Sequence, residues 1–184
     1  MAILLNILLL IMEAIALYHC IKGKRLRIWV FYTQLSNLAA TISAALLLLA
    51  GQKAWVASLR YLSVCMLIMT FFVTSCVLVP MGGNAKTLLF SGSGLYHHTL
   101  CPAVCVISYV FFERHAGGRA LLLPVLVTLG YGLLMLYMNW TEKVDGPYPF
   151  FRVRNQSVRA TILWFAVLFC VTLAIAAVVM RIAP

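Results

Sequence analysis

Residues 29–50 read WVFYTQLSNLAATISAALLLLA, an apolar run whose main interruption is a polar cluster between Thr33 and Asn37. A run of about 20 apolar residues is long enough to cross a bilayer as a helix. Six stretches of the chain qualify, at roughly residues 2–21, 29–50, 56–80, 94–112, 120–140 and 160–181. Because the connections between them are short, the sequence predicts an all-α polytopic integral membrane bundle of six transmembrane helices. Residues 1–184 are expected to form this single domain.

The composition excludes a soluble globular domain. Of the 184 residues, 64% are hydrophobic and only 10% are charged, and the mean hydropathy is +1.02. The first stretch lacks a basic segment before its apolar core and a clear cleavage site, so it is interpreted as a membrane helix and not as a signal peptide. The net charge of +10 fits loops that face anionic lipid head groups. No nucleic-acid-binding motif is present, so no nucleic-acid partner is expected.

Lysine and arginine are distributed unevenly between the two sides of the predicted bundle. One side carries nine of them: Lys22, Lys24, Arg25, Arg27, Lys86, Lys143, Arg152, Arg154 and Arg159. The other side carries five: Lys53, Arg60, Arg114, Arg119 and Arg181. Because cytoplasmic loops of membrane proteins carry an excess of positive charge, the first side is predicted to be cytoplasmic and both termini to lie outside.

Two polar clusters lie near the beginnings of predicted spans. Thr33, Ser36 and Asn37 lie in the second span, and His97 and His98 lie in the fourth. Both spans begin on the same side and each cluster lies about one turn into its helix, so the depths match. Polar groups in a membrane are costly unless they are used. The pattern predicts a shared site, although small polar residues also hold helices together and histidines also anchor helices at the interface.

Glu13 lies in the middle of the first span, where an isolated carboxylate is costly. It is expected either to be protonated or to pair with a histidine or with Arg60. Its role is either to position substrate or move a proton, or to make a packing hydrogen bond. The spacing of His98, Cys101 and Cys105 matches no standard zinc pattern, so neither a metal nor a cofactor is predicted.

Three short motifs occur in order along the chain. The first is an aromatic-Thr-x-x-Ser-Asn segment formed by Tyr32, Thr33, Ser36 and Asn37. The second is a His-Thr-x-x-Pro segment formed by His98, Thr99 and Pro102. The third is a Tyr-Pro-Phe segment formed by Tyr148, Pro149 and Phe150. Together with the number of spans, these motifs resemble the androgen-induced/androgen-dependent transmembrane hydrolase family and its bacterial relatives over nearly the whole chain. Members of that family hydrolyse fatty acid esters of hydroxy fatty acids with a threonine nucleophile and a histidine.

The resemblance implies Thr33 as the nucleophile and His98 as the base. Counting back from Pro102 makes His97 the alternative base. The bacterial relatives suggest the bacterial cytoplasmic membrane as the location. A threonine hydroxyl becomes a nucleophile when an imidazole within hydrogen-bond reach takes its proton, so this pair is chemically coherent.

Further groups are expected around the pair. The candidate oxyanion donors are Asn37, Ser36 and Tyr148. The sequence identifies no clear third member that orients the histidine, and Asp145 and Glu13 are the only plausible carboxylates for that role. The connection between spans five and six, residues 142–157, is expected to lie across the interface as a lid. The side chains expected to contact a lipid or fatty acyl ester are Ser36, Asn37, Glu13, Tyr148, Phe150 and Trp140.

The predicted function is an integral membrane threonine hydrolase of lipid esters, which acts at the membrane interface. The alternative is a non-enzymatic carrier or lipid-binding protein that uses the same polar clusters for a head group. A third interpretation, a haem or metal protein that uses the histidines, is the least favoured by the spacing. The sequence predicts nothing about the oligomeric state.

Overall fold

The computed structural model describes residues 1–146 and 148–182, without the side chains of residues 23–27. The side chains of Lys24, Arg25 and Arg27, counted above, therefore lie outside the described part. The α-helices are α1 (Ala2–Lys24), α2 (Tyr32–Ala50), α3 (Ala54–Val73), α4 (Ala85–Leu89), α5 (Gly92–Leu95), α6 (Cys101–Phe112), α7 (Leu123–Trp140) and α8 (Val158–Ile182).

Two π-helical turns extend these helices. Thr74–Leu78 continues α3, and Tyr96–Leu100 joins α5 to α6 in one helical stretch. Short 3₁₀ turns cover Arg25–Val30, Gly118–Ala120, Pro149–Phe151 and Val153–Asn155. The described residues contain no strand, and six helical stretches are long and apolar enough to cross a membrane. The prediction of an all-α polytopic membrane bundle is confirmed.

α3 is the central helix of the bundle. It packs against α2, α6, α7 and α8, and it is the most buried of the six spans. Its contact with α2 runs through hydroxyl groups: Ser43 Oγ lies 2.9 Å from Ser63 Oγ, and Ser36 Oγ lies 2.8 Å from Thr70 Oγ1. Lipid tails are as apolar as leucine, so close packing and hydrogen bonds of this kind hold membrane helices together.

A buried ion pair ties α3 to the end of α6. Arg60 Nε lies 2.8 Å from Glu113 Oε2, and the two side chains are 0% and 1% exposed. Asn6 of α1 and Ser108 of α6 also donate to this carboxylate, at 2.8 and 2.6 Å. Burial alone would raise the pKa of Glu113, but the hydrogen bonds and the charge of Arg60 outweigh it and hold the pKa below its ordinary value. Three helices thus converge on one carboxylate.

The connection between α7 and α8 packs inward. Tyr148, Phe150 and Phe151 are all buried, and the rings of Tyr148 and Phe150 stack with centroids 5.2 Å apart. They form one apolar cluster with residues of four helices, among them Tyr32, Met69, Met135 and Leu168. These three aromatic rings therefore pack between the helices, and the role of the connection as a lid stays a prediction.

Candidate functional site

Thr33 lies in the first turn of α2, and its hydroxyl faces the π-helical turn Tyr96–Leu100. Thr33 Oγ1 lies 3.2 Å from His98 Nε2. Sixty-five positions separate the two residues in the chain, and both side chains are partly buried. The structure therefore brings together the hydroxyl and the imidazole that the matching depths predicted, and their part in catalysis stays a prediction.

The ring of His98 is oriented by a backbone carbonyl. His98 Nδ1 lies 2.6 Å from the carbonyl oxygen of Leu88. A carbonyl oxygen can only accept, so Nδ1 donates to it, which leaves Nε2 of a neutral ring free to accept from the Thr33 hydroxyl. This is the tautomer that a general base needs.

A backbone carbonyl supplies this orientation, whereas the sequence offered only Asp145 and Glu13 as candidates. Asp145 is largely exposed, and its Oδ2 lies 3.6 Å from Arg152 Nη2. Glu13 faces His97 instead, with Oε2 3.7 Å from Nε2. Glu13 thus takes the histidine alternative of the sequence prediction and not the Arg60 alternative.

A close approach of two short helices brings the Leu88 carbonyl to His98. A Cβ on Gly94 would lie 2.5 Å from the Thr87 carbonyl oxygen and 2.6 Å from that of Leu88, so only glycine fits between α4 and α5 at this point. Thr99 Oγ1 also donates to the Leu89 carbonyl at 2.8 Å. These contacts fix the segment that orients the imidazole.

Both histidines lie in the π-helical turn Tyr96–Leu100, and their side chains contact different partners. Pro102 follows the turn and has no backbone N–H, so it cannot bond to the carbonyl of residue 98 as an α-helix requires. His98 turns towards Thr33, whereas His97 Nδ1 lies 3.2 Å from Gln34 Nε2. The geometry favours His98 over His97 as the base, and π-helical turns occur often at functional sites.

Ser36 and Asn37 bond to backbone carbonyls of the two helices that meet at the site. Asn37 Nδ2 donates to the backbone carbonyls of Thr33 and His97, at 2.7 and 3.4 Å. Ser36 Oγ donates to the same Thr33 carbonyl at 2.9 Å and is fully buried. Both side chains therefore hold the first turn of α2 in place, and their role as oxyanion donors stays a prediction.

Tyr148 fits the role of an oxyanion donor. Its hydroxyl lies 3.5 Å from Thr33 Oγ1 and accepts from the Thr33 backbone N–H at 3.4 Å. This N–H belongs to the first turn of α2, where backbone donors have no partner within the helix. A substrate carbonyl oxygen that displaces this long contact would meet two donors, the Thr33 N–H and the Tyr148 O–H.

Tyr148→Phe is expected to lower kcat for a lipid ester by about 10²-fold, the usual effect of removing one oxyanion donor. Burial raises the pKa of Tyr148 above its ordinary value, although hydrogen bonds with Thr33 oppose the change, so the phenol stays protonated and able to donate. Phenylalanine keeps the ring that stacks on Phe150. Steady-state kinetics would check this, with Tyr137→Phe on the exposed side of α7 as the control. An unchanged kcat in Tyr148→Phe would contradict the role.

Thr33 and Tyr148 lie between two cavities. The vestibule is a cavity of about 260 Å³ that also borders Gln34, Leu88, His97 and His98. The apolar cavity is narrower, about 40 Å³, and its walls are mainly hydrocarbon, from Met69, Tyr131, Phe150, Phe151, Phe165 and Leu168. The Thr33 hydroxyl thus stands where a wider, partly polar space meets a narrow apolar one.

The remaining predicted contact residues lie in different places. Phe150 lines the apolar cavity, and Glu13 and Asn37 line a third space, described below. Trp140 is 76% exposed at the end of α7 and lines none of these three cavities. The structure therefore places Trp140 away from the site, at a position suited to an aromatic belt at the membrane interface.

Sequence reasoning missed the Leu88 carbonyl, Gly94 and Phe151. The type of a residue does not indicate that its backbone carbonyl will accept a hydrogen bond, so the role of Leu88 could not be predicted from the sequence. Gly94 lies in the sequence SGSGLYHH at residues 91–98, where a glycine so close to two histidines was the available signal. No protein-family model, characterised protein or solved structure matches this chain.

Proposed function

We propose that this chain is an integral membrane hydrolase of lipid esters, with Thr33 as the nucleophile and His98 as the base. One observation carries the proposal: His98 contacts the Thr33 hydroxyl at 3.2 Å through Nε2 and the Leu88 carbonyl at 2.6 Å through Nδ1. Nucleophile, base and orienting group lie in the order that an activated hydroxyl requires. The resemblance to the androgen-induced/androgen-dependent transmembrane hydrolase family supports the same pair.

The reaction has two halves. Thr33 Oγ1 attacks the ester carbonyl carbon while His98 Nε2 takes the hydroxyl proton, and the Thr33 N–H and Tyr148 O–H donate to the negative oxygen. Collapse breaks the bond to the alcohol, which leaves with the proton from His98, and the acyl group stays on Thr33. Water then attacks the acyl carbon and gives a proton to His98 Nε2. The bond between the acyl carbon and Thr33 Oγ1 breaks, the acid leaves, and Oγ1 takes the proton back from His98.

The proposal is tested by lipid ester hydrolysis with purified protein. Thr33→Ala is expected to abolish turnover, and Thr33→Ser to retain part of it, because serine keeps the hydroxyl. Thr141→Ala, at an exposed threonine beyond the end of α7, serves as the control. Full turnover in Thr33→Ala would sink the proposed nucleophile. If the wild-type protein binds lipid esters without cleaving them, the non-enzymatic carrier or lipid-binding alternative is the better account.

The apolar cavity is proposed to hold the acyl chain next to Thr33. Leu168→Ala enlarges it, so the preferred acyl chain is expected to lengthen, with a gain in relative kcat/KM of about fourfold for each added methylene that becomes buried. The measurement is the ratio of kcat/KM for long and short acyl esters, which a simple loss of folded protein leaves unchanged. Leu163→Ala, on the exposed face of the same helix, is the control. Equal ratios in both variants would place the acyl chain elsewhere.

The site is proposed to open on the cytoplasmic side of a bacterial cytoplasmic membrane, with both termini outside. The uneven distribution of lysine and arginine supports this orientation. Arg60 was counted on the outer side, but Glu113 neutralises it inside the bundle, which leaves four basic residues there against nine. Labelling of single cysteines introduced at exposed Lys53 and Lys143 with a membrane-impermeant thiol reagent tests the orientation; access to Lys143Cys from outside the cell would reverse it.

A further inference from the structure

A crevice of about 190 Å³ lies between α1 and α2, apart from the vestibule. Its walls are apolar and include Leu10, Ala14, Leu17 and Leu38. Ala14 and Leu38 are exposed on the surface of the bundle, so the crevice opens sideways towards the lipid. Its floor is polar and consists of Glu13, Gln34, Asn37 and His97. Such a floor in the apolar part of a membrane span is costly unless a ligand uses it.

Two buried oxygens on this floor have no hydrogen-bond partner, Glu13 Oε1 and Asn37 Oδ1. Glu13 and Asn37 are only 4% and 2% exposed. The amide nitrogen of Asn37 already donates to the carbonyls of Thr33 and His97, so its oxygen is the atom left to accept a further hydrogen bond. Buried polar atoms in proteins are nearly always paired. Two acceptors without donors therefore point to a ligand that brings donors.

We propose that this crevice binds the hydroxylated head group of an uncharged single-chain lipid, of the monoacylglycerol class. Hydroxyls supply donors to Glu13 Oε1 and Asn37 Oδ1 without bringing a charge into the span. A carboxylate or phosphate head would bring a negative charge into the span and supply acceptors where donors are missing. An ammonium head is strongly hydrated and costly to move into the bilayer core. The acyl chain of the lipid would lie along Ala14 and Leu38 towards the membrane.

The proposal does not rest on the chemistry of Thr33. Gln34 and His97 border both the crevice and the vestibule and form a wall between them, whereas Thr33, His98 and Tyr148 border only the vestibule of these two spaces. Binding in the crevice should therefore survive Thr33→Ala. Loss of hydrolysis in that variant and loss of lipid binding in a crevice variant are separate results.

The test is saturable binding of radiolabelled monooleoylglycerol to the purified full-length protein in nanodiscs. Methyl oleate, which has the same chain and no hydroxyl, is expected to bind at least about tenfold more weakly, and so are oleate and oleylamine. Glu13→Leu should weaken monooleoylglycerol binding about tenfold, while Glu13→Gln, which keeps an acceptor oxygen, should weaken it less.

Ala14→Phe places a phenyl ring in the mouth of the crevice from an exposed position. It provides a second test of binding if Glu13→Leu fails to fold. It should abolish the saturable binding, whereas Ile15→Phe, at the next exposed position of α1, should leave it intact. Equal binding of methyl oleate and monooleoylglycerol would overturn the proposal. So would binding that Ala14→Phe leaves unchanged, or the absence of saturable binding, which would leave water as the donor on this floor.

Discussion

His98→Ala is expected to lower kcat/KM for a lipid ester by at least about 10³-fold, while His97→Ala lowers it by no more than about tenfold. His98 alone of the pair contacts the Thr33 hydroxyl, at 3.2 Å, and its tautomer is fixed by the Leu88 carbonyl. His97 faces Gln34 and Glu13. The two variants remove the same side chain from neighbouring positions, so each is the matched control for the other.

Rescue by added imidazole distinguishes the loss of a catalytic base from the loss of a structural side chain. The alanine at position 98 leaves space beside Thr33, so free imidazole is expected to restore part of the activity of His98→Ala and none of that lost in Thr33→Ala. Michaelis–Menten kinetics with and without imidazole make the measurement. Comparable losses in the two histidine variants, or a larger loss in His97→Ala, would transfer the role of the base to His97.

Glu113→Ala is expected to destabilise the fold by about 3–5 kcal/mol, because it leaves the Arg60 guanidinium buried without its counter-charge. The double variant Arg60→Met/Glu113→Leu should recover much of that loss, since it removes both charges together. Glu142→Ala, which breaks the exposed pair between Glu142 and Arg154, should cost less than about 1 kcal/mol. Equilibrium unfolding of the purified protein in mixed micelles measures all three.

The same ion pair predicts a dependence of stability on pH. The pKa of Glu113 is lower in the folded protein than in the unfolded chain, so the carboxylate stabilises the fold at pH values above its unfolded pKa. This contribution is lost as the pH falls through the folded pKa. Wild-type protein should therefore lose stability in acid more steeply than Glu113→Gln. Parallel acid profiles for the two proteins, or a Glu113→Ala variant as stable as Glu142→Ala, would contradict the importance of the pair.

The spans could be predicted from the sequence because a bilayer imposes one simple requirement, about 20 apolar residues for each helix. Parity and depth predicted that the cluster at Thr33 and the two histidines lie at the same level, because these depend on the number of spans and not on side-chain packing. The pairing of Thr33 with His98 came from the family resemblance. The partner of Arg60 could not be predicted in the same way. Glu113 lies 53 positions away and follows a span, where a charged residue resembles an ordinary loop residue.

Side-chain direction within the clusters also lay beyond the sequence. Ser36 and Asn37 share a helix face with Thr33. The spacing alone does not show whether such a polar side chain faces a cavity or donates to the Thr33 backbone carbonyl, as both do here. The inward packing of Tyr148 and Phe150 depends on the space left between α2, α7 and α8. That space is fixed only when all the helices are assembled.

The most direct test of the central claim is the position of the covalent intermediate. An activity-based probe that acylates or phosphonylates nucleophilic hydroxyls is applied to the purified protein, which is then digested and analysed by tandem mass spectrometry. The account predicts the added mass on Thr33, with labelling lost in Thr33→Ala and strongly reduced in His98→Ala. Stoichiometric label on another residue, or labelling that persists in Thr33→Ala, would show that the hydroxyl at the start of α2 is not the nucleophile.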